Sequence, residues 1–141
     1  MRFGLLGFLV CILVAALAGP ASAGITARID ISSQVMNVYE DGELTYTWPV
    51  STARRGYHTP TGTYRAQRIH KMWYSRKYDM SPMPYSVFFK GGYAIHGTNA
   101  LRSLGRPASH GCVRLHPANA RIFYGLVRSS GMENTRIEIT R

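Results

Sequence analysis

A cysteine and a histidine, separated by a short stretch of chain, have the types and order needed for covalent catalysis. Cys112 closes the run SHGC at residues 109–112, and twelve residues separate that run from His96. Because a free thiol is mostly protonated at neutral pH, a cysteine nucleophile needs a nearby base, and a histidine can act as one. The pair therefore predicts acyl transfer, with Cys112 attacking a carbonyl carbon and His96 receiving the thiol proton.

The residues next to this pair suggest how its geometry could be completed. Gly111 permits close backbone approach beside the thiol, and the amides of Gly111 and Cys112 can then turn toward the oxyanion that acyl transfer creates. A base histidine also needs a partner on its second ring nitrogen, which fixes its tautomer. No acidic residue is close in sequence, so a backbone carbonyl is the candidate partner of His96.

Three other interpretations of these residues stay open. Cys112 could be a buried, inert thiol, and His110 could be a core histidine bonded to backbone. The residues could instead bind zinc, which needs three or four ligands in tetrahedral geometry. The spacing of His96, His110, Cys112 and His116 matches no common structural zinc pattern, so we predict no metal and no cofactor.

The first residues have the pattern of a secretory signal peptide that ends at residue 23. Arg2 gives a positive start, residues 5–17 are an uninterrupted apolar run, and residues 21–23 are small. The apolar run is shorter than the roughly 18–20 residues that span a bilayer as a helix. We therefore predict export to the periplasm or cell envelope, with an uncleaved membrane anchor as the alternative.

Removal of this leader would leave residues 24–141 as one domain with a single cysteine. The other cysteine, Cys11, belongs to the apolar run. A domain of this length can bury a real core but is too short to be two domains. A lone thiol in an oxidising compartment is open to oxidation and mispairing, so Cys112 is either buried and inert or used.

The predicted domain is strongly basic. Residues 24–141 contain 16 Lys and Arg against 7 Asp and Glu, a net charge of +9. Nucleic acid is the usual partner of such a chain, but export removes that option, so we predict no nucleic-acid partner. Anionic wall polymer or anionic lipid headgroups remain as partners, and a dispersed, solvated basic surface is the simpler alternative.

Alternating apolar and polar side chains indicate half-buried strands along much of the domain. Residues 97–109 are predicted to be a loop, so that His96 ends a strand and Cys112 follows the loop, which allows the two side chains to converge. We predict strands at residues 25–31, 34–40, 44–50, 83–89, 93–96 and 135–140, with a hairpin turn at residues 41–42.

One helix is predicted near the end of the chain. It would begin at Pro117, run through about Arg128 and close at Gly131. Repeated hairpins with a single helix predict a mostly β domain with largely antiparallel pairing rather than a series of βαβ units. The apolar face of the helix would consist of Ile122, Phe123, Leu126 and Val127.

These motifs together resemble the catalytic domain of the L,D-transpeptidases, also called the YkuD-like domain. The hallmark of that family is a histidine, a spacer and then Ser/Thr-His-Gly-Cys, which here is His96 followed by residues 109–112. The resemblance implies a β-sandwich of mixed, largely antiparallel sheets with one or two short helices over residues 24–141. Further landmarks are at residues 40–42, 48–51, 59–62, 83–85, 95–98 and 109–115.

The resemblance implies an exported enzyme of peptidoglycan biosynthesis, with a role in cell wall biogenesis and cell shape. The cysteine would attack a peptidoglycan stem tetrapeptide at the L-centre of its third residue, a diamino acid, and release D-alanine. An amine would then resolve the thioester. That amine could belong to another stem, which gives a 3→3 cross-link, to an anchored lipoprotein or to a free D-amino acid. Water would give carboxypeptidase activity instead.

The resemblance also implies a role for each residue of the centre. Cys112 would be the nucleophile, and His96 would be the base toward the thiol and then the acid toward the leaving amine. The carbonyl of Gly97 would orient the His96 ring. The amides of Gly111 and Cys112 would form the oxyanion hole.

Three more residues are implied as substrate-binding. Ser109 and His110 would shape the pocket, and Arg114 would pair with a substrate carboxylate, a role that its planar guanidinium suits. A solvated surface charge is the alternative for Arg114. The sequence departs from the family in its spacer, which is short, and in having Arg114 and Leu115 where many members have an asparagine, which affects the acceptor pocket.

Two rival functions belong to different classes of protein. A Cys/His amidase or endopeptidase of the wall usually has its cysteine before its histidine, whereas His96 precedes Cys112 here. A non-catalytic wall-binding module with the same fold would be expected to have lost the thiol or the histidine, and both are present.

Overall fold

The structure, a computed structural model, describes residues 23–141 of the chain. The predicted leader at residues 1–23 lies outside that range apart from its last residue, so its part in export stays a prediction. Within the described range the elements are β1 (Ile25–Asp30), β2 (Val35–Glu40), β3 (Glu43–Pro49), β4 (Gly62–Arg65), β5 (Arg68–Ser75), β6 (Ser81–Lys90), β7 (Tyr93–Gly97), β8 (Val113–Leu115), α1 (Pro117–Ser130) and β9 (Thr135–Thr140).

Five of the strands form one sheet in the order β3-β2-β1-β9-β4. Its pairs are antiparallel except that β1 and β9 run parallel, with Ile25 opposite Thr135. Alternate residues of β1 and β9 are buried, because successive side chains of a strand point to opposite faces. One face of this sheet therefore supplies aliphatic side chains to the core.

The other sheet has four strands in the order β5-β6-β7-β8. β5, β6 and β7 pair antiparallel, whereas β7 and β8 run parallel. Strand β6 is buried on both faces in its second half, where Phe89 joins the main core and Phe88 joins a smaller cluster with Met83 and Ala94. Cys112 packs against that smaller cluster, so the cysteine lies on the face of the sheet opposite the main core.

The main core lies between the two sheets and is closed by α1, which packs mainly against β6 and β7. The helix begins at Pro117, and its N-terminal turn is capped by the His116 ring, which accepts a hydrogen bond from the Ala118 amide at 3.1 Å. It ends at Gly131, whose amide donates to the Val127 carbonyl at 2.8 Å. No helix within residues 23–141 is long and apolar enough to span a bilayer.

This architecture confirms the predicted fold class, since it is mostly β with two mixed sheets and one α-helix. The predicted apolar face of the helix was partly wrong. Ile122 is 38% exposed, and Ala120 is buried instead. Residues 120, 123 and 127 are the buried positions, which is the spacing that one stripe of a helix requires.

Three strands were not predicted from the sequence. They are β4, β5 and β8, which are respectively four, eight and three residues long. The pairing is also less uniformly antiparallel than hairpins alone would give, because β1 with β9 and β7 with β8 run parallel. The parallel pair β7 and β8 is the one that builds the site.

Candidate active site

The parallel pair β7 and β8 places the histidine and the cysteine on one face of the four-stranded sheet. His96 lies opposite Arg114 in the ladder, and Cys112 precedes Arg114 by two residues. Residues two apart on a strand share a face, and residues opposite each other in a ladder do too. All three side chains accordingly line the same cavity, which has a volume of about 490 Å³.

His96 is buried and holds one defined tautomer. Its Nδ1 atom lies 2.7 Å from the carbonyl oxygen of Gly97, so Nδ1 carries the proton and donates a hydrogen bond to that oxygen. Burial lowers the pKa of His96 to about 4, against the opposing effect of the Gly97 carbonyl and with a further lowering by Arg114. At neutral pH the imidazole is therefore uncharged, and Nε2 keeps a free lone pair.

Cys112 is also uncharged at rest. Burial raises the pKa of its thiol, while the Ala94 amide and the positive charge of Arg114 lower it. Its Sγ atom lies 3.8 Å from the carbonyl oxygen of Gly92. The resting pair is thus a neutral thiol and a neutral imidazole, so the thiol must lose its proton before or as it reacts as a nucleophile.

Gly97, which ends β7, lies where helix α1 approaches its backbone closely. A Cβ atom there would lie 3.1 Å from the Cα atom of Pro117 and 3.1 Å from Cγ of Pro84. The carbonyl that holds His96 therefore belongs to a residue fixed between the sheet and the start of the helix.

The turn at residues 109–112 also depends on a glycine. Gly111 has a φ of +138°, and a Cβ atom there would lie 2.6 Å from Cε1 of Tyr93 and 2.8 Å from the carbonyl oxygen of His58. Both the backbone conformation and the lack of space exclude a side chain. Glycine at residue 111 therefore lets the backbone beside Cys112 lie in close contact with the loop that contains His58.

The Gly111 amide and the Ser109 hydroxyl are both hydrogen-bonded within the turn. The Gly111 amide donates to Ser109 Oγ at 3.0 Å, so it is engaged within the turn. Ser109 Oγ in turn donates to the Cys112 carbonyl at 2.6 Å, and Ser109 is fully buried. Both groups thus hold the turn, and Ser109 also lines the cavity. The substrate contact of Ser109 and the oxyanion contact of Gly111 stay predictions.

His110 lies at the rim of the cavity within a group of aromatic rings. It stacks on Tyr78 with ring centroids 4.1 Å apart and meets the edge of Tyr57 at 4.8 Å. Burial lowers the pKa of His110, and the nearby cations lower it further. These cations are Arg54, Arg114 and Lys77.

Arg114 is half-buried and lines the cavity. Its Nη1 atom lies 3.4 Å from the carbonyl oxygen of Ala108. Within residues 23–141 both ion pairs of the structure belong to Glu138, on the other sheet, and no acidic residue lines this cavity. The guanidinium of Arg114 thus faces the cavity with no internal carboxylate.

The zinc alternative finds no support in the part of the chain that the structure describes. There, no group of three or more His, Cys, Asp or Glu side chains is placed to hold a metal ion. His116, one of the four residues considered, caps helix α1 instead.

Sequence reasoning missed the side chains that the β5–β6 hairpin brings to the cavity. Lys77 and Tyr78 lie in its connecting loop and line the cavity, as does Tyr93 at the start of β7. The loop turns at Asp79 and Met80, which both have positive φ values. Because neither residue is a glycine, the sequence carried no turn pattern that would have indicated the hairpin.

The fold and the site together define a cysteine–histidine centre at the edge of a β-sandwich. Residues 25–139 match the family described as YkuD, L,D-transpeptidase catalytic domain, and the chain belongs to that family. This confirms the resemblance identified in the sequence. A Bacillus licheniformis protein named as an L,D-transpeptidase, YkuD, is 23% identical over 133 residues, which are 92% of this chain and 73% of that protein.

Solved structures of L,D-transpeptidases share the fold of this chain. An L,D-transpeptidase from Mycobacterium smegmatis is 26% identical, with a TM-score of 0.74 over 84% of this chain and 59% of its own. The L,D-transpeptidase LdtMt1, solved in complex with imipenem, is 23% identical, with a TM-score of 0.73 over 83% of this chain and 59% of its own. This chain thus spans about three fifths of the length of these two proteins.

Proposed function

We propose that this chain is a peptidoglycan L,D-transpeptidase in which Cys112 is the acylated nucleophile and His96 the general base. The observation that carries the proposal is the neutral, buried His96. Its Nδ1–H is held by the Gly97 carbonyl at 2.7 Å, and its other ring nitrogen is left free in the cavity that it shares with Cys112. A base of this kind can accept the thiol proton without first losing one of its own.

In the proposed acylation step, Cys112 Sγ bonds to the carbonyl carbon of the third stem residue, and His96 Nε2 takes the thiol proton. The C–N bond to the terminal D-alanine then breaks, and the proton passes from His96 to the leaving amine. The thioester is resolved when an amine attacks its carbonyl carbon, which forms an amide and regenerates the thiol. Another stem, an anchored lipoprotein or a D-amino acid could supply that amine, and water would give the carboxypeptidase product.

The negative charge that develops on the attacked oxygen needs a hydrogen-bond donor. Of the two amides expected to supply it, that of Gly111 is engaged by Ser109 Oγ at 3.0 Å. The Cys112 amide is therefore the donor that we propose for the oxyanion.

The charges of the cavity favour a substrate with carboxylates. Arg114 and Lys77 line it, and no acidic residue does. Stem peptides carry free carboxylates, and a guanidinium can bind a carboxylate through two parallel hydrogen bonds. We propose that Arg114 binds such a group. The fit of a peptidoglycan substrate also agrees with the leader at residues 1–23, which we propose directs the protein to the periplasm or cell envelope.

The direct test is incubation of the purified protein and its Cys112→Ala variant with disaccharide-tetrapeptide, followed by mass spectrometry of the products. We expect the wild type to release D-alanine and to form a 3→3 linked dimer. The Cys112→Ala variant should fold normally and do neither, because Cys112 is the proposed nucleophile.

The other outcomes have definite meanings. Tripeptide without dimer would indicate that water resolves the thioester, so that the chain acts as a carboxypeptidase through the same cysteine. D-alanine release at the wild-type rate by Cys112→Ala would contradict the proposed mechanism. Unchanged substrate with both proteins would favour the non-catalytic wall-binding module.

A further inference from the structure

Thr59, a buried residue far from the site in sequence, is bonded to the backbone of the cysteine turn. Its hydroxyl donates to the Gly111 carbonyl at 2.8 Å and accepts from the Ala53 amide at 3.0 Å. The residue is 3% exposed, so water does not compete for these bonds. Thr59 therefore ties the loop that precedes β4 to the peptide unit between Gly111 and Cys112.

That peptide unit includes the amide proposed as the oxyanion donor. In a trans peptide the C=O and N–H groups point in opposite directions. Because Thr59 fixes the direction of the Gly111 carbonyl, it also fixes the direction of the Cys112 N–H, which points away from Thr59. The orientation of the oxyanion donor thus depends on a side chain 52 residues earlier in the chain.

This peptide unit would otherwise be the least restrained part of the turn. Ser109 Oγ holds the two flanking units, since it accepts from the Gly111 amide and donates to the Cys112 carbonyl. The unit between them follows Gly111, whose φ of +138° lies in a region where glycine has little steric restriction. A peptide flip there would leave Cys112 Sγ in the cavity but reverse the direction of the Cys112 amide.

We infer that Thr59 is a positioning residue for the oxyanion donor of the acyl-transfer reaction. The inference rests on the proposed function, because an oxyanion forms only if Cys112 attacks a carbonyl. It predicts that loss of the Thr59 hydroxyl slows attack on carbonyl carbon selectively. Reactions of the thiol that form no oxyanion should keep their rate.

Two reagents separate these cases. With p-nitrophenyl acetate, Sγ attacks the carbonyl carbon, the C–O bond breaks, and p-nitrophenol leaves, so an oxyanion forms on the way. With iodoacetamide, Sγ displaces iodide from a saturated carbon and a proton is released, so no oxyanion forms. The ratio of the acylation rate to the alkylation rate therefore reports on the oxyanion donor and not on thiol access or thiol pKa.

We expect Thr59→Val to lower this ratio about 10- to 100-fold, somewhat less than complete removal of an oxyanion donor costs. Thr59→Ser, which keeps the hydroxyl, should restore it. Thr61→Val is the matched control, since Thr61 is exposed in the same loop and its side chain has no bond to the turn. With tetrapeptide, Thr59→Val should lower kcat and leave KM within about twofold, because the interaction is made in the transition state.

An unchanged ratio in Thr59→Val would overturn the inference, and so would an equal fall of both rates, which would indicate general disruption of the site. If the valine variant does not fold, Thr59→Ala gives the same comparison. The ester reaction keeps this result separate from the proposed function. Wild type that reacts with the ester but releases no D-alanine from tetrapeptide would contradict the natural substrate and leave the Thr59 comparison valid.

Discussion

At the scale of single residues, the site depends on a histidine kept neutral by burial. The pKa of His96 is lowered to about 4, whereas the ordinary value in an unfolded chain is about 6.5. The unfolded chain therefore binds more protons than the folded one between these two pH values. The free energy of unfolding must fall as the pH is lowered through this window, and the contribution of His96 is fully present above it.

We predict that His96 accounts for a loss of about 3 kcal/mol of stability between pH 6.5 and pH 4, since each pKa unit corresponds to about 1.4 kcal/mol. Urea unfolding of wild type and His96→Gln at several pH values measures this contribution as the difference between the two curves. The acid limb of kcat/KM should correspondingly lie near pH 4 to 5. Parallel stability curves, or an acid limb near pH 6.5, would contradict a neutral buried His96.

The sequence was informative for some residues of the centre and not for others. Residue type and order were enough to propose Cys112 and His96, because few side chains can act as a nucleophile and its base, and both residues line one cavity. The part played by Ser109 was not readable, because it depends on which backbone atoms lie within reach of the buried hydroxyl. Thr59 is a similar case, since its partner is 52 residues away and belongs to the backbone.

At the scale of secondary-structure elements, the contact between β7 and α1 fixes the position of His96. Gly97 ends the strand, its carbonyl accepts the hydrogen bond of His96 Nδ1, and its backbone lies against the first turn of the helix. The nearest atoms to a Cβ at residue 97 would be in Pro117 and Pro84, two rigid rings that adjust little. The strand, the helix and the histidine are therefore coupled through one glycine.

We predict that Gly97→Ala destabilises the protein by about 1–3 kcal/mol, the usual cost of adding a methyl group to a well-packed core. It should also lower activity, because the carbonyl that holds His96 must shift with the backbone. Gly125→Ala is the matched control. No atom lies within 4 Å of a Cβ at Gly125, so alanine should stabilise this helix position by about 0.5–1 kcal/mol. Equal unfolding midpoints for the two variants in urea would contradict the packing argument.

The strands were predictable where one face is buried and the other exposed. β1 and β9 alternate in this way, and β9 matches its prediction residue for residue. β5 is an edge strand in which all eight residues are half-buried or exposed, so burial imposed no alternation on its sequence. The sequence pattern therefore did not indicate the β5–β6 hairpin, nor Lys77 and Tyr78, which its connecting loop adds to the site.

At the scale of the whole molecule, the charges are divided between two parts of the chain. Residues 44–132, which include the four-stranded sheet, the helix and the site loops, contain thirteen Lys and Arg and one acidic residue, Asp79. The other six acidic residues lie within residues 24–43 and 133–141, which form β1, β2, β9 and the start of β3. The part of the chain that builds the site is thus strongly positive and the remainder is slightly negative.

We predict that this asymmetry accelerates capture of anionic substrate. The kcat/KM for tetrapeptide should fall several-fold between about 0.05 M and 0.5 M NaCl. Added salt shortens the screening length to a few ångströms, so the basic surface no longer attracts the substrate from a distance. The rate with neutral p-nitrophenyl acetate should not change. Arg114→Gln should raise KM for tetrapeptide and weaken its salt dependence. Equal salt dependence for both substrates would contradict electrostatic capture.

The central claim is that Cys112 becomes a thioester as D-alanine leaves. The measurement that tests it most directly is rapid-quench reaction of the wild type with tetrapeptide, in which free D-alanine is quantified and the acylated residue is located by peptide mapping. We predict one equivalent of D-alanine in a first phase, matched by acyl transfer to Cys112, and the same phase slowed strongly in His96→Gln. Release of D-alanine with Cys112 unmodified, or acylation of another residue, would contradict the account.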